Sequence, residues 1–249
     1  MPGRTRLACL TVVLALAAAG AGAGEAHALI LKRLDYESGN FRQWTAVQAL
    51  SGEARIVRAP VRQGHYAARF VVRPGDSPVA GGERAEVMAL TRESEGTESW
   101  WHWSTYFPTA FHPNPGAWND FTQWHHTGHT CPSPVVFAVN RYYSPARLRL
   151  YLNTGTLNLS NCRASYVREW NFAVLRRNRW YNFTFHVKWS SKASVGFVQL
   201  WMNGRQRIPL THVPTLYAGM GVYVKQGFYR GQSRLTTTIY HDGLRRYVP

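Results

Sequence analysis

Over residues 180–189 the chain alternates strictly: Tyr181, Phe183, Phe185, Val187 and Trp189 are apolar, and Asn182, Thr184, His186 and Lys188 lie between them. A period of two sends successive side chains to opposite faces of an extended strand, so this segment buries one face and wets the other. Leu148, Leu150 and Leu152 alternate in the same way with Arg147, Arg149 and Tyr151, which predicts a strand whose outward face is basic and aromatic. Residues 195–202 are apolar except for Gln199 in their second half and stop at Asn203-Gly204, a strong hairpin turn signal. Further strands are expected over 54–58, 66–72, 84–90, 101–107, 135–140, 221–229 and 235–240. No stretch sustains a helical period, and neither an internal repeat nor an interdomain linker is present, so the expectation is one all-β domain, an antiparallel β-sandwich or jelly roll. Residues 108–116, with three prolines, form the longest irregular stretch, the kind of loop that often carries function.

Composition excludes a disordered chain. Of 249 residues, 45% are hydrophobic and 14% aromatic, enough to build a core and still line a binding surface. The formal charge is +16, which favours a partner or substrate that carries negative charge. Arg4 and Arg6 precede an apolar run from Leu7 to Ala19, and Ala26-His27-Ala28 fits a small-x-small cleavage site, so residues 1–28 read as a secretory signal and 29–249 as the mature domain. Removing 1–28 takes away Arg4, Arg6 and Glu25 and leaves +15. No later segment has the length to cross a bilayer, and a secreted protein without membrane association is expected. Cys131 and Cys162 then remain, an even count that favours a disulfide in an exported chain. His125, His126 and His129 near Cys131 keep zinc as the weaker alternative, since no Cys-x-x-Cys pair or spaced carboxylate accompanies them.

Three short constellations bear chemistry. In Gly81-Gly82-Glu83-Arg84-Ala85-Glu86-Val87, strand spacing places Arg84 and Glu86 on one face, where the carboxylate can hold the guanidinium against a substrate carboxylate or simply form a cross-strand ion pair. In Gln123-Trp124-His125 the amide and imidazole share a face within reach of one sugar unit, although a lone histidine is more often structural. In the segment from Tyr223 to Gly231, Tyr223, Lys225, Gly227 and Tyr229 share a face if extended. The missing side chain at Gly227 leaves a gap for ligand, and nearby cations lower the Tyr229 pKa; the plainer reading is a twisted strand with solvent-facing Tyr and Lys.

In that chain order on an all-β sandwich, Arg-x-Glu, Gln-x-His and Tyr-x-Lys-x-Gly-x-Tyr resemble the β-jelly-roll polysaccharide lyases, a group with alginate lyases, glucuronan lyases and heparin lyase I-like enzymes. Asp35-Tyr36-Glu37-Ser38-Gly39-Asn40-Phe41 with Trp44, the segments around Lys188-Trp189-Ser190 and Trp201-Met202-Asn203-Gly204, and Tyr240-His241-Asp242-Gly243 are similar to the heparin lyase I-like and glucuronan lyase branch. The resemblance covers most of 34–246 and implies a concanavalin A-like jelly roll that cleaves a uronic-acid polymer, glucuronan, heparin-like or alginate-like, by β-elimination. It implies that Gln123 and Arg84 neutralise the C5 carboxylate, Glu86 orients Arg84, His125 stands where the family has its base and Tyr229 where it has its acid. Lys225, Tyr223 and Arg230 are then expected to bind substrate with Glu86; separately from the resemblance, the basic and aromatic face around Arg147, Arg149 and Tyr151 is expected to supply further subsites. Tyr229 could serve as both acid and base where the C5 proton and O4 share a side of the ring.

A glycoside hydrolase on the same fold would need two flanking carboxylates, and Glu93, Glu95 and Glu98 read instead as a solvated loop. A lectin-like module would not need His125 and Tyr229 together. Nucleic-acid binding lacks any zinc-finger, helix-turn-helix or aromatic RNA signature. No cofactor or catalytic metal is expected, no acidic loop demands a structural calcium, and a monomer is expected. Selectivity is expected in Trp118, Asn119 and 126–130.

Overall fold

The computed structural model describes residues 29–79 and 81–249, so the leader segment and its boundary lie outside the described residues. Among the described residues there are fifteen strands, no helix, and two antiparallel sheets. The eight-stranded sheet runs in the order β13 (Arg205–His212), β12 (Phe197–Met202), β11 (Arg179–Lys188), β6 (Glu98–Phe107), β15 (Thr237–Val248), β4 (Ala67–Val72) and β3 (Ala54–Val57), with β1 (Leu29–Leu34) also on β15. The seven-stranded sheet runs β10 (Arg163–Val174), β9 (Arg147–Asn158), β8 (Val135–Asn140), β7 (Asn119–His126), β14 (Val222–Arg230), β5 (Glu83–Glu93) and β2 (Ala46–Gln48). The sandwich expected from the alternation is therefore observed.

The alternating side chains meet between the sheets. From one side come Trp101, Trp103, Phe183 and Phe185, from the other Trp124 and Phe137; Trp103 stacks on Phe183 with ring centroids 4.9 Å apart and Trp124 packs edge-on to Trp101 at 5.2 Å. Edge-to-face and offset pairs of this kind add to the area they bury. His241 joins the layers: its Nε2 lies 2.9 Å from the Gly227 carbonyl of the opposite sheet and its Nδ1 lies 3.1 Å from the Thr105 hydroxyl. Burial pulls this imidazole down to about 3, so it stays neutral, donates to the carbonyl and accepts from Thr105.

Several elements depart from the sequence pattern. β10, β13, β1 and β2 were not expected, because their residues do not alternate cleanly; β10 has no fully buried residue and is held by its pairing with β9. Of the three acids expected in a solvated loop, Glu95 does lie in an exposed turn, whereas Glu93 and Glu98 are on strands. Glu93 is fully buried against Arg246 at 2.8 Å, Glu95 accepts from Ser190 and Ser191, and Glu98 meets His186 at 2.8 Å and Lys188 at 3.5 Å. Asn119 is also structural, with its amide tied to the Asn114 and Ala117 carbonyls at 2.9 and 3.0 Å.

The Cys131–Cys162 disulfide forms, across a sequence separation of 31, and fastens the loop after β7 to the β9–β10 turn. His126 supports the same loop through Nε2, 2.9 Å from the Cys131 carbonyl, so the bonded cysteine and the occupied histidine make a scaffold. Closing a loop of this length restricts the unfolded chain by about 3–4 kcal/mol. Cys131→Ser with Cys162→Ser is expected to lower unfolding free energy by about that amount in urea melts, and an unchanged midpoint would remove the bridge from the stability account.

Candidate active site

The outward face of the seven-stranded sheet carries the three constellations, and strand register sets them in rows. Arg84 of β5 stands opposite Tyr229 of β14, Tyr229 opposite Asp120 of β7, Asp120 opposite Ala138 of β8, and Ala138 opposite Arg149 of β9. A second row contains Lys225, Gln123, Val136 and Tyr151. His125 stands opposite Tyr223 in a third, with their rings stacked at 5.5 Å. Residues far apart in sequence thus share one surface because neighbouring strands hold them opposite each other.

Glu86 is the hub. Its Oε2 accepts from Lys225 Nζ at 2.6 Å and from Arg84 Nη1 at 3.3 Å, and its Oε1 accepts from Gln123 Nε2 at 2.6 Å. All four residues are buried. Burial alone raises the Glu86 pKa, but Lys225, Arg84 and the hydrogen bonds from Lys225 and Gln123 outweigh it and hold the carboxyl below its usual range. Gln123 is fixed at both ends, because its Oε1 accepts from the Ser133 hydroxyl. An amide held in this way keeps one N–H to offer a ligand. Two cations against one carboxylate leave the hub an excess positive charge, suited to one substrate carboxylate.

Tyr229 lies in a fitted cradle. The Arg84 guanidinium stacks on its ring at 3.9 Å, Trp118 tilts against it at 5.6 Å, and its hydroxyl donates to the Gly81 carbonyl. Gly82 is needed here: its φ of 139° is one that L side chains rarely adopt, and a Cβ would lie 2.9 Å from the ring and 2.8 Å from the Arg230 carbonyl. The cations were expected to lower the Tyr229 pKa; instead burial raises it, with Arg84 pulling down only in part, so the phenol keeps its proton at neutral pH. His125 Nδ1 lies 2.8 Å from the His126 carbonyl, so Nδ1 carries the proton and Nε2 the lone pair. Burial pulls His125 down to about 4, and it stays neutral.

Two further expectations are corrected. Arg230 is not on this surface. One residue beyond Tyr229, it points inward, is fully buried, and binds Glu83 Oε2 at 2.9 Å, Thr237 Oγ1 at 2.7 Å and the Val72 carbonyl at 3.3 Å, so it clamps the end of the sandwich. Gly227 does not open a gap for ligand. A Cβ there would lie 2.2 Å from the Ala85 carbonyl and 2.6 Å from Glu86 Cα, so the glycine lets β14 close on β5. Arg149 and Tyr151 do share the surface, with the guanidinium 5.3 Å from the Tyr151 ring, but Arg149 is also held by Glu169 at 3.0 Å.

Asp120, Ser133 and Glu169 were missed. Simple alternation from Gln123 sends Asp120 inward, but an irregularity between Asp120 and Thr122 reverses it: Phe121 enters the core and Asp120 joins the surface. Burial pushes the Asp120 carboxyl to about 7, partly offset by Arg149 and reinforced by Glu86. Among the described residues no group of three or more His, Cys, Asp or Glu is set for a metal ion.

A family model described as polysaccharide lyase matches residues 36–245. The chain belongs to the polysaccharide lyase family. It is a lyase with the sandwich seen in solved relatives. Endo-β-1,4-glucuronan lyase from the fungus Trichoderma reesei is similar with a TM-score of 0.72 and 17% identity, over 89% of this chain and 96% of that one. An alginate lyase from a Chlorella virus gives 0.58 and 9%, over 89% and 100%. An alginate lyase from Pseudomonas aeruginosa gives 0.56 and 13%, over 80% and 87%. No curated protein sequence matches.

Asp120 carries a testable signature in this lyase. Its folded pKa lies above its unfolded one, so the unfolded chain ionises first and the group subtracts stability as pH rises from about 4 to about 7. The stability of Asp120→Asn relative to the parent is expected to rise across that window in urea melts. A pH-independent difference would show that Asp120 titrates normally.

Proposed function

We propose that this lyase is exported and cleaves a β-1,4-linked polyuronate, with glucuronan as the first substrate to test. The observation that carries the reading is the hub: a Gln123 amide locked by Glu86 and Ser133, beside Lys225 and Arg84, with the unprotonated Nε2 of His125 and the protonated hydroxyl of Tyr229 on the same sheet face. The higher structural likeness to the glucuronan lyase than to the two alginate lyases supports the choice of polymer. Export is supported by the sequence pattern of residues 1–28 and by the Cys131–Cys162 bridge.

In this reading the substrate carboxylate accepts the free Gln123 N–H and lies in the field of Lys225 and Arg84. That neutralisation makes the C5–H bond more acidic and stabilises the enolate-like transition state. In glucuronate the C5 proton and O4 lie on the same side of the ring, so His125 and Tyr229, which share a sheet face, both act from that side. The C5 proton passes to His125 Nε2, the C–H electron pair becomes the C4=C5 double bond, and the C4–O4 bond breaks. Tyr229 turns its hydroxyl from Gly81 to O4 and protonates the leaving oxygen. Glu86 positions the donors. Arg149, Tyr151 and Tyr223 contact neighbouring sugars, and Trp118 bounds the Tyr229 end.

The test follows ultraviolet absorbance of the unsaturated uronate on glucuronan, heparin, heparan sulfate and alginate. Glucuronan should give the fastest rise. Tyr229→Phe and His125→Ala are each expected to lower kcat by about two to four orders of magnitude with the fold intact. Gln123→Ala should lower kcat by about two to three orders of magnitude with a smaller change in KM. A Tyr229→Phe enzyme that keeps its rate would remove the acid assignment, and silence on every polymer would remove the polyuronate reading.

A further inference from the structure

The opposite face of the sandwich carries a feature that the proposed reaction does not use. A sheet face turned to water normally carries scattered polar residues, but the eight-stranded sheet presents an aromatic strip there. Tyr240 of β15, Tyr106 of β6 and Trp180 of β11 stand opposite one another in one row. Their ring centroids are 5.9 Å apart from Tyr240 to Tyr106 and 5.4 Å from Tyr106 to Trp180, close to the repeat of one pyranose in an extended chain. The row continues through Arg69 of β4, opposite Tyr240, to Arg55 of β3, which is exposed.

Beside the strip the next row holds small polar residues, Ser104 and Asn182, and the surface dips. The depression, about 230 Å³, is lined also by Arg62, Gln63, His102 and Thr184. It is below the size of a drug-binding pocket and fits a single ring. Asn182 Oδ1 accepts from Arg62 Nε and from Ser104, both at 2.9 Å, and Arg62 itself is exposed. Carboxylates near this face are already engaged. Asp242 is buried and accepts the Arg62 and Gln63 backbone N–H groups at 2.7 and 3.1 Å, and Glu98 is held by His186 and Lys188.

We propose that this outward face is a second, non-catalytic binding site for an acidic polysaccharide, with the sugar chain packed along Tyr240, Tyr106 and Trp180 and carboxylates met by Arg69, Arg55 and Arg62. The rings are inclined to one another, by 68° between Tyr240 and Tyr106 and 44° between Tyr106 and Trp180, so they offer a ridged apolar surface along which a sugar chain can lie, and the cations select an anionic chain. The site lies on the far side of the core from Glu86, so one polymer segment can be held there while another enters the catalytic face. Holding the polymer at a second point raises its effective concentration at the first.

The experiment is affinity electrophoresis of the full chain carrying Tyr229→Phe, through gels with polyglucuronate, alginate or neutral hydroxyethylcellulose. Trp180→Ala with Tyr106→Ala should weaken retardation by the acidic polymers about fivefold. Arg55→Gln with Arg69→Gln should weaken it in a salt-dependent way, and this pair carries the test if the aromatic variant melts early. Turnover of a trisaccharide by the same surface variants, made in the active enzyme, should be unchanged. Retardation unchanged in both surface pairs would overturn the site, and equal retardation by the neutral polymer would overturn the acidic ligand. Retardation lost in both pairs, in a protein with no lyase activity on any polyuronate, would support this site and reject the reading of the catalytic face.

Discussion

The proposed catalytic face depends on one buried carboxylate. Glu86 gathers Lys225, Arg84 and Gln123 from three different segments, and its ionised form is what holds two cations and an amide in place below the surface. Removing one partner of such a cluster leaves uncompensated buried charge, typically a loss of about 3–5 kcal/mol. In the proposed reaction the same arrangement would prepare the chemistry, since donors already oriented by Glu86 need not reorganise when a substrate carboxylate arrives.

Around that hub each working side chain has its own support, and the supports reach across the fold. Ser133 fixes the far end of the Gln123 amide, and Ser133 lies on the loop fastened by the Cys131–Cys162 bridge. Gly81 and Gly82 shape the cradle of Tyr229, while His241 from the other sheet holds the Gly227 carbonyl where β14 closes on β5. Burial then sets the protonation states, with His125 neutral and Tyr229 protonated. The bridge and the cross-sheet histidine are therefore part of how the proposed catalytic face is positioned.

The two faces of the sandwich divide along chemical lines. One has ionised groups packed into a hydrogen-bonded cluster, the other a row of aromatic rings edged by arginines. Both follow from the same rule, that alternate residues of a strand go to opposite sides and residues paired across strands lie side by side. Trp180 and Tyr181 show it within one dipeptide: the first belongs to the outer strip and the second packs against Phe107 in the core.

Alternation alone was enough to predict the sandwich, because 148–152 and 180–189 repeat with a period that only strands satisfy. The pairs Arg84 and Glu86, Gln123 and His125, and Tyr223 and Lys225 were legible for the same reason, each being two residues apart on one strand. The resemblance to polysaccharide lyases added their expected roles. Alternation also places Arg230 on the face opposite Tyr229, which is where it lies. What only the tertiary structure decided was the meeting of strands. The irregularity that turns Asp120 outward, the loop that brings Ser133 to Gln123, and the approach of β5 that requires Gly227 all depend on partners distant in the chain. Local sequence encodes which face a residue takes along its own strand; register, bulges and burial, which set neighbours and proton affinities, arise only when the strands pack.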